Sequence, residues 1–336
     1  MLPQDRRFFL QYALAASVVG ALSERMAAMA SSLAAPSPWP LVIAHRGASG
    51  YLPEHTLEAY RLGAEMGADF IEPDLVFTKD GHLVARHDRA LAATTDVADR
   101  PAFANRRTTK PGHDEGDWFA EDFTLAELKT LKARQAFPGR SPAADNRFTI
   151  PTFDEVLNLA KSLTQSLGRP IGVYPETKSP GAFARLGFDF LPPLLACLAA
   201  QGWGDAGAPI IIQSFEEDIL KRLRQHSAVR LMLLLDEHAD VTPGRLKAIA
   251  GFASGIGPWK GLLFDARSRS SGLVEAAHEA GLFVHPWTLR DDQLPPGVES
   301  PRDEYARLYD MGVDGVFSDF PDTAHSVRLA RRARRR

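Results

Sequence analysis

From residue 41 onward the chain alternates short apolar runs with amphipathic stretches, and that rhythm limits the available folds more than any other feature. The apolar runs fall at Leu41–His45, 70–77, 171–176, 210–213, 231–235, 253–257, 282–287 and 313–318. Helical patterns occupy 56–66, Phe153–Leu167, 215–226, 243–251, 272–280 and 304–311. Strands buried on both faces and linked by amphipathic helices build parallel sheets. Eight such units spread over residues 36–325 favour an α/β fold of the TIM-like (β/α)8 barrel type over an open sheet. No glycine-rich phosphate loop follows the first strand, so a dinucleotide-binding fold has no support. Thr152 followed three residues later by Glu155 predicts a capping box at the start of 153–167.

Residues 89–150 break the rhythm. A stretch this long inside a compact domain is functional or a small subdomain, and it reads as an insertion after the second strand that caps the active-site face, with a short helix at 125–133. Composition narrows the function class. Of 336 residues, 45% are hydrophobic and 24% charged, which excludes wholesale disorder. Lys and Arg number 39 against 42 Asp and Glu, so the chain lacks the positive field of a nucleic-acid binder. Cys197 is the only cysteine, which excludes an intramolecular disulfide and a thiolate metal cage.

The two ends carry separate signals. Arg6 and Arg7 precede an apolar run at 12–22, well short of the ~18 residues a membrane-spanning helix needs. Small residues at 28–30 and 33–35 offer cleavage sites, so 1–35 reads as a signal peptide and the start of a linker. The arginine pair with Phe9 and Leu10 resembles a twin-arginine signal, although Asp5 and Gln11 depart from that pattern. The expectation is export through the twin-arginine machinery to the periplasm or the exterior. At the other end, 326–336 contains six arginines and reads as a basic, solvated tail.

In a β/α barrel, chemistry sits where strands end. Strand one ends in His45-Arg46-Gly47, strand two holds Glu72-Pro73-Asp74, and a return run after the turn at Asp80-Gly81 ends in His87-Asp88. Strand three ends in Glu176-Thr177-Lys178, strand seven in His285-Pro286-Trp287, and strand eight in Ser318-Asp319. Glu72 and Asp74, two apart on a strand, share a face and repel unless a cation lies between them. Glu176 adds a third hard oxygen ligand. Three carboxylates without cysteine select Ca²⁺ or Mg²⁺ over zinc. Arg46 and Lys178 add fixed positive charge beside that cation, and phosphate is the natural occupant. His45 and His87 are left free to exchange protons. One acid and one base beside a metal-bound phosphate amount to metal-assisted phosphodiester cleavage. Trp287 either packs the barrel rim or shelters an apolar part of the substrate.

The run from His45 to Thr56, then Glu72-x-Asp74, Thr78-Lys79-Asp80-Gly81, His87-Asp88, Glu176-x-Lys178, His285-Pro286-Trp287-Thr288 and Asp319-Phe320-Pro321-Asp322, resembles the glycerophosphodiester phosphodiesterase family. The resemblance covers residues 40–325, and the insertion and N-terminus look like its bacterial periplasmic branch. It implies hydrolysis of glycerophosphodiesters to sn-glycerol 3-phosphate and an alcohol. It further implies His45 and His87 as acid and base, Arg46 and Lys178 on the phosphate, and Glu72, Asp74 and Glu176 on a metal that is Ca²⁺ rather than Mg²⁺ in that branch. Glu54 and His55 read as supports of the first loop. Two other readings compete: a lipid-directed phosphodiesterase of the same superfamily, which usually carries a disulfide, and an exported binding barrel that has lost catalysis. Oligomeric state, the attacking oxygen and the histidine that serves as base are left open by the residues.

Overall fold

The computed structural model describes residues 39–334. Its first barrel strand, Leu41–His45, pairs in parallel with Phe70–Glu72 on one flank and Gly315–Ser318 on the other. The second strand is interrupted at Pro73, which has no N–H to give to a ladder, and resumes as Asp74–Phe77. The third strand is likewise split, into Gly172–Val173 and Glu176–Thr177, and each half pairs with the matching half of the second. Ile211–Ser214, Arg230–Leu235, Gly255–Pro258 and Phe283–Val284 continue the parallel order. The ring closes because the Asp314 and Phe317 amides donate to the Val284 and Pro286 carbonyls at 3.0 and 3.1 Å, and the Leu289 amide donates to Phe317 at 2.9 Å. The eight-stranded barrel expected from the alternation is therefore present among the described residues.

Strand periodicity divides the core into two parts. Val42 and Ala44 point outward into the large cluster shared with the helices, while Ile43 points inward. Ile43, Phe70, Tyr174, Ile211, Met232 and Phe317 form an apolar plug inside the barrel. Phe70 and Tyr174 meet edge to face with centroids 5.8 Å apart, a contact worth about 0.5–1.5 kcal/mol beyond burial. Gly172 makes room for the plug, since a Cβ there would lie 2.3 Å from the Phe70 ring.

Around the barrel, Leu57–Glu65 starts at Thr56, whose hydroxyl accepts from the Ala59 amide at 3.1 Å. Phe153–Leu167 carries the expected reciprocal capping box, with Thr152 N–H donating to Glu155 at 2.7 Å and Glu155 N–H returning to Thr152 Oγ1 at 3.2 Å. Three helices lie outside the sequence expectation: Pro180–Arg185, Leu191–Gln201 and Pro321–Arg334. The second is almost uniformly apolar and has prolines in its first turn, where they fit, so it shows no amphipathic period to read.

Between 89 and 150 the chain forms short 3₁₀ turns at Val97–Asp99, Pro101–Arg106 and Ala120–Asp122, a hairpin of Thr108–Lys110 with His113–Asp117, and one helical turn, Leu125–Leu128. The helix is shorter than the 125–133 expected, and residues 129–150 run irregularly. Phe103, Trp118, Phe123, Leu128 and Leu131 join the main core instead of making a second one.

The solvated basic tail expected at 326–336 is not what residues 326–334 form. Residues 326–334 are the second half of the helix Pro321–Arg334. Arg328 is buried, ion-paired with Asp69, and donates to the Pro40 and Gly67 carbonyls at 3.1 and 3.2 Å. A guanidinium has five donors and can tie several chain ends together, which is what Arg328 does beneath strands one and two. The expected signal peptide lies outside the described residues. Among the described residues no helix is long and apolar enough to cross a membrane.

Candidate active site

The polar residues of the mouth stand one strand step above the apolar plug. His45 follows Ile43 by two residues, Glu72 follows Phe70, Glu176 follows Tyr174, Gln213 follows Ile211, and Asp319 follows Phe317. Period-2 geometry thus converts one ring of apolar side chains into a ring of chemistry directly above it. His45, Arg46, Glu72, His87, Glu176, Lys178 and Trp287 line one cavity of about 180 Å³.

Glu72, Asp74 and Glu176 are buried, with ligand oxygens within 4.8 Å of one another. Glu72 accepts from the Arg46 amide at 2.8 Å and from Gln213 Nε2 at 3.2 Å. Asp74 Oδ2 meets His55 Nε2 at 2.9 Å, and the opposite nitrogen of His55 meets the Tyr60 hydroxyl at 2.7 Å. Burial, then the charges of Asp74 and Glu176, push the Glu72 carboxyl well above its usual range. Burial also raises Glu176 to about 8, against the pull of Lys178 at 2.9 Å. Asp74 moves the other way despite burial, because Lys178 and His55 favour its ionised form. Asp74 Oδ1 is buried without a hydrogen-bond partner. An all-oxygen, all-carboxylate donor set, one buried oxygen of which accepts no hydrogen bond, fits a hard divalent cation.

Arg46 sits at a left-handed φ of +58°, which turns its amide toward Glu72 and its side chain back over the mouth. Its guanidinium pairs with Glu54 at 2.9 Å and lies 3.6 Å from Asp74. Burial alone would raise Glu54, but Arg46 together with His55, His87 and Arg86 outweighs it and holds the carboxyl at about 2. Gly47 completes the turn at φ +86°, where a Cβ would collide with the Ala59 carbonyl carbon at 2.6 Å. Glu54 and His55, expected to support the first loop, are placed on Arg46 and Asp74 respectively.

On the other side of the cavity, His45 Nδ1 lies 2.6 Å from Asp319 Oδ1. Asp319 Oδ2 accepts from Arg140 at 2.6 Å and from Arg290 at 2.9 Å. These cations and the His45 ring keep Asp319 ionised although it is buried. Burial first, then Arg46, lowers His45 to about 4, so its ring is neutral at pH 7. His87 is different: its ring is 30% exposed and Nδ1 faces Asp88 at 3.1 Å. At the rim, Trp287 donates to the Gly257 carbonyl at 2.8 Å and meets Phe215 edge to face at 5.7 Å.

All eight residues singled out from the sequence are therefore gathered at one mouth, seven of them on the cavity wall and Asp74 within the carboxylate cluster. Asp319 is visible in sequence as a strand end and as the first residue of a family signature, and Gln213 only as the last residue of the run 210–213; the signal that places both is their two-residue offset from inward apolar positions. Arg140 had no such signal, because it lies in irregular chain.

The glycerophosphoryl diester phosphodiesterase family matches residues 45–323, a span that contains every residue of the mouth. The chain belongs to this family. A glycerophosphodiester phosphodiesterase of Haemophilus influenzae is 32% identical over 354 residues, covering 92% of this chain and 95% of its own. One of Bacillus subtilis is 31% identical over 298 residues, 86% of each chain. In fold, a glycerophosphodiester phosphodiesterase from Agrobacterium tumefaciens is similar with a TM-score of 0.61 at 22% identity, covering 85% of this chain and 99% of that one. An Oleispira antarctica phosphodiesterase, solved with the product sn-glycerol-3-phosphate, is similar with a TM-score of 0.60 at 23% identity, covering 86% and 96%. Family membership sets the activity class, glycerophosphodiester hydrolysis.

Proposed function

We propose that the protein hydrolyses sn-glycerol-3-phosphodiesters such as glycerophosphocholine and glycerophosphoethanolamine, releasing sn-glycerol 3-phosphate and an alcohol. The observation that carries this reading is the shared cavity of two histidines, two cations and the clustered carboxylates. Glu72, Asp74 and Glu176 would hold one divalent cation. Three protein carboxylates suit Ca²⁺ better than Mg²⁺, which keeps most of its waters and takes one or two carboxylates. When bound, the cation supplies Lewis-acid polarisation of the phosphoryl oxygens. Arg46 and Lys178 orient the phosphate and neutralise its charge.

The two histidines divide the proton transfer. Ionised Asp319 can only accept a hydrogen bond, so His45 donates from Nδ1 and presents Nε2 with a lone pair. Nε2 takes the proton of the attacking oxygen as its bond to phosphorus forms. His87 gives a proton to the alcohol oxygen as the opposite P–O bond breaks, and its solvent-facing position lets it reload. Trp287 and Phe215 form an apolar wall beside the substrate's carbon atoms. We further propose that this chemistry takes place in the periplasm or outside the cell, after twin-arginine export directed by residues 1–35.

The test is release of glycerol 3-phosphate from glycerophosphocholine, with and without chelator. Turnover lost on chelation and restored by Ca²⁺ more fully than by Mg²⁺ is the expected result. His45→Ala and His87→Ala should each cost roughly 10²- to 10⁴-fold in kcat while folding is retained. Absence of glycerol 3-phosphate from both glycerophosphodiesters would sink the proposal.

A further inference from the structure

One guanidinium from the irregular chain at 129–150 reaches the centre of the mouth. Arg140 has a side chain only 2% exposed. Its Nε and one terminal nitrogen hold Asp292 at 2.7 and 3.1 Å. That same nitrogen donates to Asp319 at 2.6 Å, and the other donates to the Ser49 carbonyl at 3.2 Å. The Phe137 ring covers the guanidinium at 4.1 Å from its centroid. Arg140 therefore ties together the loop after strand one, the segment after strand seven and the end of strand eight.

From this geometry we infer that Arg140 is a positioning residue for His45, acting through Asp319. The inference rests on the proposed role of His45 as proton acceptor. Asp319 has two oxygens and both are committed: Oδ1 to His45, Oδ2 to Arg140 and Arg290. A carboxylate gripped on one oxygen by two guanidiniums cannot rotate, and it presents only an acceptor to the imidazole. That fixes both the ring plane and the tautomer of His45, with hydrogen on Nδ1 and the lone pair on Nε2. Arg290 alone would leave Asp319 with one anchor, on a side chain that is itself 21% exposed at the cavity wall. The 89–150 stretch is thus part of the catalytic apparatus, not only a cover over it.

The experiment compares wild type with Arg140→Met and Arg140→Lys in the full-length protein, loaded with Ca²⁺. Two readouts are taken: steady-state kinetics on glycerophosphocholine, and the ring-nitrogen NMR signals of His45 in ¹⁵N-histidine-labelled protein, assigned by loss in His45→Gln. We expect Arg140→Met to lower kcat by roughly 10- to 100-fold with KM held within about twofold, the scale seen when an outer partner of a functional side chain is removed. The His45 signals should pass from a single Nδ1–H tautomer to a mixture. Arg140→Lys should recover part of the kcat and most of the tautomer, since an ammonium can meet one carboxylate but cannot fork. Asp292→Asn, which loosens Arg140 at the rim, should move both readouts in the same direction and serves in its place if Arg140→Met does not fold. An unchanged His45 tautomer in a folded variant overturns the inference, whatever the rate does. A loss confined to KM overturns it as well. Should the wild type turn over no glycerophosphodiester, the activity reading falls, and the tautomer comparison still decides the role of Arg140.

Discussion

On one side of the mouth three carboxylates crowd within 4.8 Å, and the cations beside them are Lys178 and an Arg46 already shared with Glu54. On the other, Asp319 and Asp292 are matched by Arg140 and Arg290. Like charges about 4 Å apart repel by about 4 kcal/mol at an effective dielectric near 20, too much for a fold to carry without relief. The carboxylate side can find that relief in a cation or in protons, the direction in which burial and the neighbouring carboxylates push Glu72 and Glu176. The dyad side is compensated by its own chain and is organised before any ligand arrives. One half of the site is therefore set by solution conditions, the other by packing.

The largest expected effect falls on the self-compensated half. Asp319→Asn keeps the shape but allows the side-chain amide to donate to Nδ1 and reverse the tautomer; kcat should drop by roughly 10²- to 10⁴-fold, with little change in chelator sensitivity. A mild loss in steady-state kinetics would show that His45 needs no fixed partner, and the contrast between the halves would collapse.

An intermediate effect tests the other half through stability. In the cation-free protein Glu176 binds its proton up to about pH 8, whereas in the unfolded chain it releases it near the ordinary carboxylate value. The folded state then holds more protons, so this group's contribution is full in acid and is lost as pH rises from about 4.5 to about 8. Thermal unfolding with chelator should show a higher Tm at pH 5 than at pH 8, and Glu176→Gln should flatten the difference. Added Ca²⁺ at about 100 times its Kd should restore about 2.7 kcal/mol at pH 8. A chelated protein whose Tm rises over that interval would contradict the account.

The smallest effect belongs to the half-buried histidine at the rim. Asp88 is 60% exposed beside His87, and such pairs contribute about 0–1 kcal/mol, so Asp88→Asn should slow turnover by no more than about fivefold. A loss as deep as that of Asp319→Asn would mean that both histidines depend equally on a fixed carboxylate, and would erase the distinction between rim and interior.

Much of this was legible before any coordinates. The alternation from Leu41 to Ser318 specified a barrel, and strand-end residues named the histidines, the carboxylates and both cations, because side chains alternate along a strand and strand ends meet at one mouth. Leu191–Gln201 carries no such signal because a helix that is apolar nearly all round has no period, and the arginine-rich end reads as a solvated tail because charge count says nothing about what each guanidinium touches. Arg140 escaped for a related reason: irregular chain carries no repeat that points a side chain anywhere.

What the chain determined by itself was therefore local and periodic: which residues face inward, which cap a helix, which carboxylates share a strand face. Tertiary structure alone decided how far apart the Glu72, Asp74 and Glu176 oxygens lie, which nitrogen of His45 is occupied, and that Arg140 crosses from the insertion to Asp319. Periodicity arises from backbone geometry that every residue inherits from its neighbours. A contact between residues 140 and 319 arises only after loops have closed and charges have been buried together, and no spacing in the sequence encodes that distance.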